Sequence, residues 1–178
     1  DVQAFGANNP IPIVYGWNYV AGTVVDLMVT DSAGGVKNEH LHMLVVFCVG
    51  PVDTVQLFVD GKMINSTQYS GAIEYTVKTG QVGQTPIAGL QSVFRRFDPV
   101  NSDFAGLVYA YLKLTIKEGS DVFSGIPEIT AYVSGRKVQN LPSRTAPFWW
   151  ANPAVCLYDY LTDPVWGAGL SAADIDLD

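Results

Sequence analysis

Over roughly the first two thirds of the chain, apolar and β-branched residues alternate with polar ones, and turn formers interrupt the alternation. A period of two indicates strands with one face in a core, whereas the apolar face of a helix repeats every 3.6 residues or so. The sequence therefore predicts a mainly β protein, a β-rich α+β fold of antiparallel sheets with one or two short helices near the C-terminus. The predicted strands are residues 11–20, 23–30, 40–49, 54–59, 62–64, 72–77, 107–116, 129–133 and 136–139.

Turn-forming residues predict how some of these strands connect. Asp60 and Gly61 tolerate a positive φ and therefore favour a tight hairpin between their flanking strands. Ser134 and Gly135 predict a second hairpin, between residues 129–133 and 136–139. The two runs that meet near Gly22 and the run at residues 40–49 are expected to be antiparallel neighbours.

A long excursion follows at residues 78–106, where glycine is frequent and periodicity is weak. Loops of this length in compact domains are usually functional or stabilised by a partner. We expect its apolar side chains to become ordered by packing against an adjacent subunit. These side chains are Ile87, Leu90, Val93 and Phe94.

The composition changes at residues 141–147, and a helix is predicted after them. Asn152 is suited to the N-cap and Pro153 to the first helical position, and Pro164 disfavours continuation. Ser171 and Asp174 have the spacing of a capping box. We expect a β-rich domain at 1–140 and a helical segment at 141–178 that leads into a further domain, with the chain truncated at 178.

Charge and hydropathy disfavour several functional classes. The chain has 17 acidic and 10 basic residues, a net charge of −7 that does not suit a nucleic-acid-binding face. Its longest apolar runs, such as residues 44–49, are far shorter than the roughly 20 residues of a membrane span. Cys48 and Cys156 lie in apolar runs, and we expect both to be free thiols.

Two groups of residues were considered as chemical sites. His40 and His42 lie on one face of a predicted strand beside Glu39, but a zinc site needs further ligands, which the sequence does not place nearby. Asp159 and Asp163 lie one helical turn apart and could act as an acid–base pair. Solvated residues at a helix end are the favoured interpretation. We predict no catalytic, cofactor-binding or metal-binding residues, and no enzyme activity.

Two further motifs have alternative interpretations. Phe148, Trp149 and Trp150 could stack on a sugar, or could anchor the packing of two layers. The glycines at 80 and 83 lack the third glycine and the following helix of a phosphate-binding loop.

The order of short motifs resembles the host-specificity protein J family, the tail-tip attachment proteins of lambda-like phages. Residues 152–169 are similar to an Asn-Pro-Ala stretch that runs into Leu-Thr-x-Pro and two glycines in that family. The other matching segments are residues 9–16, 50–53 with 59–61, 83–84, 126–129 with 133–138, and 171–176.

The resemblance implies a barrel-like tail-hub domain, a structural subunit of a phage or prophage tail tip. Such a subunit assembles as a ring, expected to be a homotrimer, that closes and extends the tail tube and takes part in host attachment. Its expected partners are other tail-tip and tail-tube proteins, and DNA passes through without specific binding. Its expected location is the virion, after synthesis in the bacterial cytoplasm. The alternative is a secreted β-sandwich module that binds a carbohydrate or receptor. A glycan hydrolase built on the aspartates is a third.

Overall fold

The structure, a computed structural model, describes residues 4–5, 9–98, 102–117, 119, 121–123, 125–138, 148–149 and 152–175. Its strands are β1 (Ala4–Phe5), β2 (Asn18–Ala21), β3 (Thr23–Thr30), β4 (His40–Val49), β5 (Val55–Val59), β6 (Lys62–Met63), β7 (Ile73–Thr79), β8 (Leu107–Thr115), β9 (Ile129–Val133), β10 (Lys137–Val138) and β11 (Phe148–Trp149). The helices are α1 (Leu90–Val93) and α2 (Pro153–Thr162), and 3-10 turns lie at Thr67–Tyr69 and Ala172–Asp174. The prediction of a mainly β fold is confirmed.

The larger sheet has five strands in the order β1-β3-β4-β8-β7. β1 runs parallel to β3, and the other neighbours are antiparallel. β4 lies at the centre, and nine of its ten residues are buried. Its nearly continuous apolar sequence is typical of a strand covered on both faces.

A four-stranded sheet, in the order β2-β9-β5-β6, covers one face of the larger sheet. The apolar side chains of both sheets point inward. Each fully buried Leu or Phe side chain contributes roughly 1.5–3 kcal/mol to the free energy of folding. The described strands form open sheets, so the expected barrel-like closure is not found among them. The shared core includes Val20, Met43, Val45, Phe47, Leu57, Val59, Val108, Leu112, Ile129 and Val133.

The chain changes sheets at Gly22, between β2 and β3. The Gly22 amide donates to the Ile129 carbonyl at 3.0 Å. A Cβ at position 22 would lie 2.2 Å from Cγ1 of Val45. The expectation that the two runs around Gly22 are antiparallel neighbours is therefore wrong, because β2 pairs with β9. The expected antiparallel pairing of the runs at 23–30 and 40–49 is confirmed, as β3 with β4.

The outer face of the larger sheet is covered by the excursion that follows β7. Ile87, Leu90 and Phe94 are 8%, 4% and 1% exposed and pack against Leu44 and Tyr109. The expectation that these side chains become ordered by packing against an adjacent subunit is wrong. They form a second core within the chain, because the outward-facing residues of β4 and β8 at this end are themselves apolar or aromatic.

The two predicted hairpins have different outcomes. β5 and β6 pair through a turn in which Asp60 and Gly61 have φ of 47° and 74°, which confirms the first. The second is wrong, because β10 pairs with β11 and leaves β9 between β2 and β5.

The predicted helix is confirmed as α2, with the Asn152 side chain accepting from the Ala154 amide. The Ser171 side chain likewise accepts from the Ala173 amide, but it caps a short 3-10 turn. Both cysteines are buried thiols outside any disulfide, as predicted. Among the described residues, no helix has the length and apolar character needed to cross a membrane.

Candidate functional site

An ion cluster connects α2 to the β structure. The Arg136 guanidinium lies between two carboxylates of the α2 region, with Nε 3.4 Å from Oδ2 of Asp159 and Nη2 bonded to Oδ2 of Asp163. Tyr15 donates its hydroxyl to the same Asp159 oxygen at 2.7 Å. The three charged side chains are 15%, 19% and 8% exposed, so the expectation that Asp159 and Asp163 are solvated is wrong.

Two glycines allow the backbone to bring Arg136 to this position. Gly135 has φ of +75°, and a Cβ there would lie 2.5 Å from the Gly16 carbonyl oxygen. The Arg136 amide then donates to the Val14 carbonyl at 2.7 Å. Because Gly135 turns the chain toward the segment before β2, Arg136 leaves the register of β9. The same geometry explains why β9 and β10 form no hairpin.

Asp163 has a second role at the end of α2. Its Oδ1 accepts from the amides of Val165 and Trp166 at 2.7 and 2.8 Å. Burial raises the pKa of the Asp163 carboxyl. The two hydrogen bonds from backbone amides and the Arg136 guanidinium together lower this pKa by more than burial raises it, so the net pKa is below its ordinary value. The carboxylate is therefore held ionised where the chain leaves the helix.

The remaining members of the cluster are fixed by the same contacts. Burial, and then donation to Asp159, raise the pKa of the Tyr15 phenol, so the hydroxyl stays protonated as a donor. One guanidinium therefore faces two carboxylates, one of which also accepts from a phenol. This arrangement orients side chains and joins distant segments of the chain.

The histidines lie on one face of β4, as predicted from their spacing. His42 is buried, and its ring nitrogens lie 2.8 Å from the Tyr111 hydroxyl and 2.9 Å from the Thr30 hydroxyl. Burial, followed by the charges of His40 and Lys113, lowers the pKa of His42. Within the part of the chain that the structure describes, no three His, Cys, Asp or Glu side chains are grouped as metal ligands.

Gln84 follows the glycines at 80 and 83, and the sequence did not indicate the role of its side chain. Gln84 accepts from the Gly80 amide at 3.0 Å through Oε1. Its Nε2 donates to the carbonyls of Asp103, Phe104 and Leu107 at 3.2, 2.7 and 3.1 Å. Gln84 therefore ties the start of the excursion to its end. The segment at residues 83–84 is part of the resemblance, but the sequence does not indicate which carbonyls this side chain meets.

Of the aromatic trio Phe148, Trp149 and Trp150, the structure describes only the backbone of the first two. The backbone of Phe148 and Trp149 forms β11, and Trp150 lies outside the described residues. Exposed aromatic side chains occur instead at β2 and just before it, where Tyr19 and Trp17 are 60% and 45% exposed. The exposure of Tyr19 could not be predicted from the sequence, because an outward-facing ring in a strand has the same period as an inward-facing one.

Comparison with known proteins gives a likeness of fold. No protein-family model and no curated protein sequence matches this chain. Among solved structures, the fold is similar to that of a chain described as "Virion of native gene transfer agent (GTA) particle", with a TM-score of 0.53 and 19% sequence identity. The likeness covers 82% of this chain and 31% of that chain. The present chain therefore spans about a third of the length of the protein that it matches.

Proposed function

We propose that this chain is a structural component of a phage or prophage tail tip, a hub subunit that closes and extends the tail tube and takes part in host attachment and DNA delivery. The observation that carries the proposal is the likeness of fold to a chain of a gene transfer agent virion particle, over 82% of the present chain. This is a likeness of fold, whereas the resemblance to the protein J family is one of sequence motifs.

The ion cluster supports the proposal from a second direction. Tyr15 belongs to the first motif of the resemblance, Arg136 to the motif around β9, and Asp159 and Asp163 to the C-terminal motif. These segments are far apart in sequence and meet at one set of hydrogen bonds and ion pairs. The segments that carry the resemblance therefore meet in this fold.

Surface properties support assembly with other proteins. Charged residues make up 15% of the chain, below the roughly 25% of average proteins. In the segment from α2 onward, Leu157, Tyr160, Val165 and Leu170 are 57%, 44%, 72% and 46% exposed. Grouped exposed apolar side chains usually become covered in an assembly. The net charge of −7 also suits a wall past which DNA slides, because like charges repel.

The assembly can be tested by measuring the mass of the native polypeptide that contains this chain. We expect a trimer by sedimentation equilibrium, since the resemblance implies a threefold ring. A monomer at every concentration tested would contradict the ring. A hexamer or a larger closed ring would contradict the trimer and retain assembly.

A further inference from the structure

β7 is an edge strand of the larger sheet, because among the described residues it pairs with β8 on one side and with no strand on the other. It has seven residues, whereas β1, β2 and β6, the other edge strands of the two facing sheets, have two, four and two. None of the residues of β7 is buried, and Tyr75 at its centre is 47% exposed. β7 therefore has the longest uncovered edge in the part of the chain that the structure describes.

The hydrogen bonds to β8 show which backbone groups of β7 point outward. The Thr115 amide donates to the Ala72 carbonyl at 2.8 Å, and the register of the two strands places Ala72 opposite Thr115. Antiparallel residue pairs alternate between hydrogen-bonded and non-hydrogen-bonded pairs. The backbones of Ile73, Tyr75 and Val77 therefore point away from β8. Their amides and carbonyls have no hydrogen-bond partner among the described residues.

Two further hydrogen bonds confirm this direction. The carbonyl of Thr79, the next residue of the same set, accepts from the Val52 amide in the loop before β5, at 2.9 Å. On the other side of β8, the Ile116 amide donates to the Glu39 carbonyl at 2.7 Å. Alternate residues of β8 therefore face β4, and the remaining ones face β7. The outer edge of β7 is thus a row of three unpaired amides and three unpaired carbonyls that ends where Val52 covers it.

A groove of about 440 Å³ lies beside this edge, between β7 and the hairpin of β5 and β6. Tyr75 and Val77 line the groove from β7, and Val55, Leu57 and Met63 line it from the hairpin. Eight of its eleven lining residues are apolar or aromatic, and none of the eleven is charged. A strand added to β7 would have every second side chain on the face of Tyr75 and Val77, and therefore at this groove.

The opposite face of β7 is polar, but its charges already have partners. Glu74 forms an ion pair with Lys113 at 3.0 Å, and Lys78 donates to the Thr85 hydroxyl at 3.3 Å. Between them lies Thr76. The register of β7 with β8 has no bulge, and β7 has no proline. Bulges, prolines and unpaired charges commonly protect edge strands from pairing, and the centre of β7 has none of them.

We propose that the free edge of β7 binds an extended segment of another polypeptide, which adds a sixth strand to the larger sheet. A row of unpaired amides and carbonyls is matched by a backbone that presents the same groups at the same spacing. Because the groove is uncharged and mainly apolar, the segment has apolar side chains at every second position. Its other side chains are polar, since they lie beside Glu74 and Lys78. This inference does not depend on the role in a tail tip.

The test begins with a library of random dodecapeptides, displayed on yeast and selected for binding to this chain. We expect the selected peptides to share apolar residues at alternate positions. Synthetic copies of the selected peptides then serve as the probe, and fluorescence anisotropy measures their affinity for the chain.

Hydrogen exchange of the unchanged chain shows directly whether the peptide pairs with the edge. The amides of Ile73, Tyr75 and Val77 should exchange rapidly in the free chain and slowly when a selected peptide is bound, because the added strand would accept from them. The amides of Glu74 and Thr76 already donate to β8, so their exchange should be slow with or without the peptide.

Two variants of Tyr75 separate the role of the backbone from that of the side chain. Tyr75→Pro and Tyr75→Thr both remove the ring, but only proline removes the outward amide, and it removes no hydrogen bond to β8. We expect Tyr75→Pro to bind the selected peptides at least tenfold more weakly than Tyr75→Thr, which corresponds to about 1.4 kcal/mol. The dispersion of an NMR spectrum reports whether each variant is folded, and the exchange measurement needs neither of them.

The proposal is overturned if no selected peptide binds the chain in solution, or if a bound peptide leaves the amides of Ile73, Tyr75 and Val77 in rapid exchange. Equal affinities of Tyr75→Pro and Tyr75→Thr would overturn it as well, because side chains alone would then account for the binding. Self-association of the chain that Tyr75→Pro abolishes would also overturn it, since a second copy would then cover the edge.

Discussion

Arg136 is the side chain on which the joint between α2 and the β structure depends. It compensates Asp159 and Asp163, which are 19% and 8% exposed. Removing one partner of a buried pair leaves uncompensated charge in a region of low dielectric constant. We predict that Arg136→Ala lowers the free energy of unfolding by about 3 kcal/mol, measured by urea denaturation.

The control for this loss is an exposed ion pair in the same chain. Lys37 lies 2.6 Å from Asp31, and the two side chains are 81% and 42% exposed. Solvent screens such pairs, so Lys37→Ala should cost less than about 1 kcal/mol. Equal losses in the two variants would contradict the structural role that we assign to Arg136.

The Asp163 carboxylate makes the joint sensitive to acid. Its pKa in the folded chain lies below the ordinary value of 3.8. The contribution of this carboxylate to the free energy of unfolding is therefore complete above a pH of 3.8. The contribution is lost as the pH falls through the lower pKa of the folded state. We predict that Asp163→Asn destabilises the chain near neutral pH and that the difference from the unchanged chain shrinks below about pH 4. Urea denaturation across this range measures it, and a difference independent of pH would exclude the carboxylate charge as its cause.

At the scale of elements, the crossing between the two sheets at Gly22 has the least room. A Cβ there would meet Val45 at 2.2 Å and the Ile129 carbonyl oxygen at 2.9 Å. We predict that Gly22→Ala lowers the free energy of unfolding by about 2–3 kcal/mol, because the sheets must separate. Gly34→Ala is the control, since the nearest atom to its added Cβ is 3.7 Å away. A loss at Gly22 no greater than at Gly34 would show that the sheets are not closely packed at the crossing.

The excursion over the larger sheet should behave as core. Phe94 is 1% exposed and contacts Phe97 and Tyr111 with centroid distances of 5.7 and 6.3 Å. We predict that Phe94→Ala costs about 3–5 kcal/mol, while Val82→Ala, at 93% exposure, costs less than about 0.5 kcal/mol. Hydrogen exchange supplies a second readout: amides around Phe94 should be protected in the isolated chain. Rapid exchange there would indicate that the excursion needs a partner after all.

Much of the β structure could be predicted from the sequence, because strand existence depends on local alternation and turn chemistry. β4 and β9 have the predicted bounds, and α2 begins at its predicted cap. Strand partners were harder to predict. Pairing depends on close backbone approaches, such as those of Gly22 and Gly135, and a glycine in a sequence does not reveal which distant segment it meets.

The ion cluster could not be predicted for the same reason. Asp159 and Asp163 share a helix face, and that part of the pattern was visible. Their partner, Arg136, and the phenol of Tyr15 come from segments whose positions are set by tertiary structure. Charged residues near a helix end are usually solvated, so burial here is the exception that only the fold reveals.

At the scale of the molecule, the two facing sheets, the intramolecular second core and the docked α2 form one framework with few charges. The exposed apolar side chains of α2 and of the segment after it leave a surface that another protein can cover. Elsewhere, on the smaller sheet, the rings of Trp17 and Tyr19 pack against the ring of Tyr132. These uncovered surfaces suit the assembly that we propose.

The central claim, a place at the tail tip, is tested most directly by immunogold electron microscopy. Antibodies raised against this chain would be applied to phage or phage-like particles released by cells that encode it. The account predicts gold at the tip of the tail, at the end away from the capsid. Label on the capsid or along the whole tube, or particles without label although the protein is made, would contradict it.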